Sequence, residues 1–140
     1  MKIIKLDAQA RDAFLAGRRL GILALLDDGG APIALPLWYR WDGREVEMVS
    51  ERKVPKMRRL EKDPRASVLV TNIPPEPGSW VSLEGRVVVS EGGQEAGERL
   101  IERYVVDPRM AAAFRKVFRK SDLVRLSLVP DRIRTYAEVY

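Results

Sequence analysis

The sequence predicts a mainly β fold, a closed or partly closed antiparallel barrel with few helices. About seven short segments have the length and apolar content of strands. Hairpin turns such as Asp-Gly and Gly-Gly join several of them. Closure into a barrel removes the exposed strand edges that an open sheet would leave. Because the chain has 140 residues, 46% of them hydrophobic, we expect a single domain over residues 1–140 with a real core.

The first three strands are typical of a meander. The apolar run 19–27 ends at an Asp-Asp-Gly-Gly turn, and apolar residues on both of its faces predict a central, doubly buried strand. The next strand is expected over 31–41. Because Pro36 lacks an N–H group, we expect an edge, a bulge or a break in pairing there. Residues 45–50 supply the third strand.

A short helix follows the third strand. Pro55 suits a first helical position, and the Asp-Pro pair at 63–64 ends the helix. The pattern then predicts a fourth strand at 66–71, a proline-rich loop at 72–79 and a long fifth strand at 80–90. The inserted helix therefore separates two groups of strands.

Helical spacing returns after the Gly-Gly pair at 92–93. Apolar residues keep that spacing on both sides of an Asp-Pro pair at 107–108, which predicts two successive helices. Two last strands are expected at 123–129 and 132–139, separated by a turn at 130–131. No internal repeat or linker divides the chain.

The composition excludes several chemistries. The chain has neither His nor Cys, which excludes disulfides, thiol nucleophiles, Cys-ligated metals, Ser-His-Asp triads and His-ligated haem. We therefore predict no metal site, and no residue is assigned as catalytic. Glycine-rich dinucleotide and P-loop motifs are absent. No segment is typical of a signal peptide or a membrane span, so a cytoplasmic protein without a membrane partner is the simplest expectation.

The net charge of +5 is concentrated in one segment. Residues 52–65 hold seven basic and two acidic side chains, whereas the rest of the chain holds 18 of each sign. This concentration indicates a local anion site, with a solvated helix face as the alternative. A nucleic-acid surface is a third hypothesis. We do not expect that partner, because the segment has no interleaved aromatic residues for base stacking.

The start of the short helix predicts the same kind of ligand. With Pro55 at the first helical position, Val54 is the N-cap, and valine has no side-chain oxygen to accept the first-turn N–H groups. Water would serve as an acceptor, but a phosphate would also be stabilised by the helix dipole and by Lys53 and Lys56. Ser50, at the end of the third strand, would add a hydroxyl donor.

Five motifs along the chain carry a family resemblance. They are Pro-Leu-Trp-Tyr at 36–39, Trp-Asp-Gly at 41–43, Lys-Met-Arg-Arg-Leu at 56–60, Asp-Pro-Arg-Ala-Ser at 63–67 and Trp-Val-Ser-Leu-Glu-Gly-Arg at 80–86. Their order and spacing resemble the pyridoxamine 5′-phosphate oxidase-like family. These are the flavin-binding split-barrel proteins, some of which use the deazaflavin coenzyme F-420. The resemblance covers nearly the whole chain.

The resemblance implies a six- or seven-stranded antiparallel split barrel that forms a homodimer, with the flavin sites at the dimer interface. Five residues would bind the cofactor phosphate: Ser50, Lys53, Lys56 and, as weaker candidates, Arg52 and Arg59. Four residues would lie along the ring: Leu35, Pro36, Leu37 and Val49. Two would reach the cofactor of the partner subunit: Trp80 and Ser82. One departure is Arg59, where relatives often carry a neutral asparagine.

The implied activity is that of an oxidoreductase, dependent on FMN or alternatively on the deazaflavin, that transfers hydride or electrons to or from a small organic substrate. The lack of His and Cys fits this activity because the cofactor carries the chemistry in flavin enzymes. The alternative is a non-catalytic protein of the same fold that binds or carries a flavin or another phosphorylated ligand.

Position along the strands indicates further candidate residues. Three side chains would line a substrate pocket or lie on the barrel surface: Tyr39, Arg134 and Tyr136. Glu84, in the fifth predicted strand, is the candidate acid–base group. A cross-strand salt bridge with Arg86 or Arg125 would explain Glu84 equally well.

Overall fold

A computed structural model, which describes all 140 residues, confirms the mainly β fold. One antiparallel sheet contains eight strands: β1 Lys2–Ile4, β2 Gly21–Leu26, β3 Pro32–Leu37, β4 Arg40–Trp41, β5 Val46–Glu51, β6 Arg65–Thr71, β7 Ser79–Ser90 and β8 Leu123–Val139. Four helices accompany the sheet: α1 Ala8–Ala16, α2 Pro55–Lys62, α3 Gly93–Tyr104 and α4 Pro108–Arg119.

The sheet curls so that its two end strands are consecutive in the chain. The strand order is β3-β2-β6-β7-β8-β5-β4, and β1 pairs with the end of β8. The end strands β3 and β4 are separated by Trp38 and Tyr39 alone and do not pair with each other. The barrel is therefore split along this line, as the family resemblance implies.

Alternate side chains of the strands fill the barrel. The central cluster includes Leu23, Val68 and Leu83 from three adjacent strands, all fully buried. Two helices add to the same cluster, α1 through Leu15 and α2 through Met57 and Leu60. The start of α2 is thus fixed relative to the sheet by the packing of its own apolar face.

Pro36 lies in an edge strand, as predicted, but the predicted strand 31–41 is divided into β3 and β4 at Trp38 and Tyr39. The neighbouring strand β2 also differs from its prediction. Strand β3 pairs with β2 alone and is an edge strand, and its pairing ends at Leu37. Strand β2 is central, as expected, but the prediction of burial on both faces is wrong. Leu23 is fully buried, whereas Ile22 and Ala24 are only half-buried. One apolar face of β2 is therefore accessible in the isolated chain.

The prediction of two final strands is also wrong. A single strand, β8, runs through the expected turn, because Gly85 lies opposite Pro130 while Glu84 lies opposite Arg132. The extra residue, Asp131, makes a β-bulge, which bends the strand without ending its pairing. A Cβ on Gly85 would lie 2.8 Å from the Val129 carbonyl oxygen, so glycine permits this close approach.

The N-terminal elements β1 and α1 were not predicted. Helix α1 buries Leu15 alone, so its apolar periodicity is too weak to indicate a helix. Its one strong sequence signal is Asp7, whose side chain accepts the Ala10 N–H at 2.8 Å as an N-cap.

The other three helices begin where the sequence predicts. Pro55 begins α2, and the side chain of Asp107 accepts the Arg109 N–H at 2.9 Å to cap α4. Glycine at position 93 allows α3 to approach β8, because a Cβ there would lie 2.2 Å from the Leu123 carbonyl oxygen. None of the four helices combines the length and the apolar character that a membrane-crossing helix needs.

Candidate functional site

The start of α2 is an uncapped helix N-terminus. Val54 is the N-cap, with extended backbone angles φ −123° and ψ 155°, and no side chain accepts a hydrogen bond there. The Met57 N–H donates to the Val54 carbonyl oxygen at 2.9 Å. Pro55 has no N–H group, so the Lys56 N–H is the first-turn donor available to an acceptor from outside the helix, and the helix dipole favours an anion.

Two half-buried cations of α2, Lys56 and Arg59, lack a carboxylate partner. Burial lowers the pKa of the Lys56 ammonium, and no acidic group offsets this shift. The Nε of Arg59 is buried without a hydrogen-bond partner. Because the two residues are three positions apart, they lie on the same side of the helix. Partial burial of a cation that lacks a counterion costs solvation free energy, and an anionic ligand would reduce that cost.

The other basic residues near α2 already have partners or face solvent. Arg52 is held by Glu91 at 2.9 Å and by Asp122 at 3.0 Å. Lys53 is exposed, and Ser50 is buried with its hydroxyl donating to the Glu51 carbonyl oxygen at 2.9 Å. The structure therefore favours Lys56 and Arg59 over Arg52 as ligands of an anion.

An open groove follows a different side of α2. It has a volume of 690 Å³, and its lining includes Lys53, Val54, Met57, Val87 and Val89. Lys56 and Arg59 do not line it. The unpartnered cations are therefore directed away from this groove.

The outer face of the sheet carries an accessible row of side chains. Ile22 lies opposite Pro36 on one side and opposite Leu69 on the other, and Leu69 lies opposite Ser82. Paired residues of an antiparallel sheet project on the same face, so these four side chains form one row across β3, β2, β6 and β7. We call it the outer row. Trp80, two residues before Ser82, projects on the same face.

The outer row contains two of the predicted cofactor residues, Pro36 and Ser82. It also contains Ile22 and Leu69, which are not among the predicted site residues. The apolar character of both faces of β2 is the sequence signal for them, because it is typical of a covered surface as well as of a buried strand. These apolar side chains offer a flat surface of the kind on which an aromatic ring packs.

The other residues predicted to lie along the flavin ring do not belong to the outer row. Leu35 and Leu37 pack against the barrel core, so only their backbone can face a ligand on the outer surface. Val49 is half-buried on β5, where it lies opposite Arg125. Trp80 stacks on Tyr136, with ring centroids 5.8 Å apart and an angle of 3° between the planes.

Tyr39 neither lines a substrate pocket nor lies on the barrel surface, so both sequence-based alternatives are wrong for this residue. Its side chain is fully buried, and its hydroxyl donates to the Leu15 carbonyl oxygen at 2.7 Å. Burial raises the pKa of the Tyr39 hydroxyl to about 12. Tyr39 thus joins β3 and β4 to the end of α1 and takes part in the core.

Glu84 forms a cross-strand ion pair, but neither expected partner is the one found. Arg134 of β8 donates to the Glu84 carboxylate at 2.8 Å. Arg125 is instead paired with Glu45 and Glu47. Because Arg134 holds Glu84, the two residues that were separate candidates for substrate chemistry form one surface pair.

Replacing Val54 by threonine is expected to raise the free energy of unfolding by about 1 kcal/mol, because the hydroxyl would cap a first-turn N–H while keeping the shape of the side chain. Urea denaturation measures the change. Val106→Thr is the matched control, since Val106 is 76% exposed outside any helix start. An equal gain in the control, or no gain at Val54, would contradict an uncapped α2.

Comparison with known proteins agrees with this architecture. A family model described as pyridoxamine 5′-phosphate oxidase matches residues 7–137. A conserved hypothetical protein from Mycobacterium tuberculosis is 26% identical in a match that covers 96% of this chain and 86% of that chain, with a TM-score of 0.75. None of the curated proteins matches the sequence.

Two further solved structures share the fold. An F-420 reductase is 22% identical, with 87% of this chain and 94% of that chain covered and a TM-score of 0.69. A FAD-binding protein from Mesorhizobium loti is 19% identical, with 99% of each chain covered and a TM-score of 0.71. At these identities the similarity shows a common fold.

Proposed function

Since the chain belongs to the pyridoxamine 5′-phosphate oxidase family, we propose that it is a flavin- or deazaflavin-dependent oxidoreductase acting on a small organic substrate. FMN is the first candidate cofactor and F-420 the alternative. The observation that carries the proposal is the pair of unpartnered cations, Lys56 and Arg59, on an uncapped helix. The F-420 reductase and the FAD-binding protein of the same fold support a cofactor of this class.

The residues around α2 fit the phosphate of such a cofactor. The Lys56 N–H would donate to one of its oxygens, and the Lys56 and Arg59 side chains would compensate its charge. Ser50, Arg52 and Lys53 remain candidates by family resemblance, and Arg52 would have to exchange one of its two carboxylate partners to take part.

The outer row fits the ring of the cofactor. Pro36, Ile22 and Leu69 would pack against a planar apolar surface and exclude water from it. By resemblance, Val49 and the backbone at Leu35 and Leu37 would complete the ring site. The bound flavin would supply hydride or electron transfer, and the chain's own part is to hold and orient it.

The proposed assembly is a homodimer in which each cofactor lies between subunits. The accessible apolar face of β2 supports this, because half-buried apolar residues of a central strand need a further covering layer. In that arrangement Trp80 and Ser82 would reach the cofactor of the partner subunit. The Trp80–Tyr136 stack would hold the indole in place for that contact.

The test is to purify the chain, record its absorption spectrum and identify any bound cofactor by mass spectrometry. The stripped protein is then titrated with FMN and with F-420. We expect one of the two to bind at micromolar concentration, with one site per chain. Failure of both to bind would overturn the proposal.

Turnover is tested separately on the loaded protein, with nicotinamide donors for FMN, or with reduced F-420, and a panel of small organic acceptors. Oxidation of the donor that depends on the acceptor would support an oxidoreductase. Tight binding without turnover of any acceptor would instead favour the non-catalytic carrier.

A further inference from the structure

A second cationic site lies between α1, β4 and α3, and the charge pattern of the sequence did not indicate it. It is an open cleft with a volume of 750 Å³. Its lining consists of Ala16, Arg18, Arg40, Trp41, Arg99, Glu102 and Arg103. We call it the arginine cleft. Four of its seven lining residues are arginines, and one is acidic.

The carboxylate beside the cleft, that of Glu47, already accepts hydrogen bonds from two arginines. Glu47, which is 2% exposed, accepts two hydrogen bonds from Arg99 at 2.8 Å each and a third from Arg125 at 2.6 Å. Arg40 approaches the same carboxylate at 3.8 Å, a distance too long for a hydrogen bond. The guanidinium donors of Arg40 are therefore available to another acceptor.

The other two arginines of the cleft are not compensated by carboxylates. Arg103 donates to the carbonyl oxygens of Leu15 at 3.2 Å, Ala16 at 3.0 Å and Gly17 at 2.8 Å, so it contributes mainly its charge to the cleft. Arg18 is exposed and takes part in none of the ion pairs of the chain. The cleft thus has an excess of positive charge, and Arg18 and Arg40 supply its unused donors.

We infer that the arginine cleft binds a small oxyanion ligand, one that carries carboxylate or phosphate groups. Guanidinium groups match the two oxygens of such groups through paired hydrogen bonds, and several arginines in one concave site give the geometry needed for specificity. Trp41 supplies a flat apolar wall to the same cleft. The inference does not depend on the proposed flavin chemistry.

The cleft is separate from the site at α2. Arg40 lies opposite Glu47 at the start of β5, whereas α2 follows Glu51 at the end of that strand. Four residues of strand separate the two positions by about 13 Å. A ligand in the cleft would therefore leave the first-turn N–H group of Lys56 in α2 free.

The cleft also contacts the aromatic residues beside β3. The Arg103 guanidinium lies 5.3 Å from the Tyr104 ring centroid, and Tyr104 stacks on Trp38 at 5.0 Å. Trp38 directly follows Leu37 of β3. An anion bound in the cleft would thus lie near the aromatic group that adjoins the proposed ring site.

The experiment is calorimetric titration of the full chain with citrate and, separately, with pyrophosphate, at an ionic strength held constant with sodium chloride. We expect saturable binding of at least one of the two at one site per chain. Arg18→Gln and Arg40→Gln should each weaken that binding about tenfold, the loss expected for a charge-assisted hydrogen bond.

Arg44→Gln is the matched control. Arg44 is exposed in the turn between β4 and β5, so this variant removes the same charge outside the cleft and should change the affinity less than twofold. Saturable binding that the two cleft variants alone weaken supports the inference, and the stronger ligand shows whether carboxylate or phosphate is preferred.

Three results would overturn the inference. The first is no saturable binding of either anion. The second is an equal loss in Arg44→Gln, which would indicate a general charge effect. The third is loss of binding in Lys56→Met, which would place the anion at α2. None of these results depends on whether FMN or F-420 binds, so the two proposals fail separately.

Discussion

Replacing Lys56 by methionine is expected to weaken binding of the flavin cofactor by about ten- to hundredfold. Removal of a charge-assisted hydrogen bond to a phosphate costs roughly 1.5–3 kcal/mol, which corresponds to that change in dissociation constant. Methionine keeps the length and the apolar stem of the side chain. The loss should therefore come from the charge rather than from packing.

In the free protein, no acidic group compensates the positive charge of Lys56. Burial lowers the pKa of its ammonium, and no carboxylate restores it. A bound phosphate would favour the charged form again. Affinity should consequently decrease as the pH rises through the lowered pKa, where the free protein loses this cation.

Fluorescence titration with FMN measures the effect, or with F-420 if that is the cofactor the unmodified chain binds. Lys62→Met is the matched control, because Lys62 is exposed in the last turn of the same helix. It should change the affinity less than twofold. If Lys56→Met binds as tightly as the unmodified chain, the assignment of α2 as the phosphate site is wrong.

Local sequence patterns predicted the strands and helices correctly where the backbone chemistry of a single residue decides the structure. Pro36 lacks an N–H group and is found at a sheet edge, and Pro55 begins α2 with Val54 as an unassisted N-cap. The turn predicted at 130–131 was wrong. The Pro-Asp pair favours a turn locally, but the hydrogen bonds between β8 and β7 on both sides of it stabilise one continuous strand. The bulge at Asp131 depends on Gly85, which is distant in sequence, so no local window reveals it.

The candidate site was predicted in part for the same reason. Charge density indicated the segment around α2, but sequence alone does not show which cations have partners. Arg52 is compensated by Glu91 and Asp122, which lie in two loops distant in the sequence, whereas Lys56 is not. The arginine cleft combines three elements that are separated in the chain, so its residues form no run of charge in the sequence.

Replacing Glu47 by glutamine is expected to lower the free energy of unfolding by about 3 kcal/mol at neutral pH. The carboxylate is 2% exposed and joins Arg99 of α3 to Arg125 of β8. Loss of one partner from a buried ion pair typically costs about 3–5 kcal/mol. We expect a loss of about 3 kcal/mol, at the lower end of this range, because the Arg99 side chain is 40% exposed and water can hydrate its guanidinium in the variant.

The pH dependence gives an independent check. Hydrogen bonds from Arg99, with further ones from Arg125, lower the pKa of Glu47 from 4.5 to about 2. A lowered pKa in the folded state stabilises the protein above the pKa of the unfolded state. That contribution, roughly 3 kcal/mol, should disappear as the pH falls from 4.5 towards 2. The glutamine variant should show a correspondingly smaller acid dependence.

Urea denaturation followed by tryptophan fluorescence measures both effects. Glu98→Gln is the control, because the Glu98–Arg115 pair between α3 and α4 is 43% and 35% exposed and should contribute less than about 1 kcal/mol. Equal losses in the two variants, or an unchanged acid dependence in Glu47→Gln, would contradict the role given to Glu47.

Because Arg99 belongs to α3 and Glu47 to β5, the Glu47 carboxylate joins this helix to the barrel. Amide hydrogen exchange in Glu47→Gln should therefore become faster in α3 before it does so in the other elements.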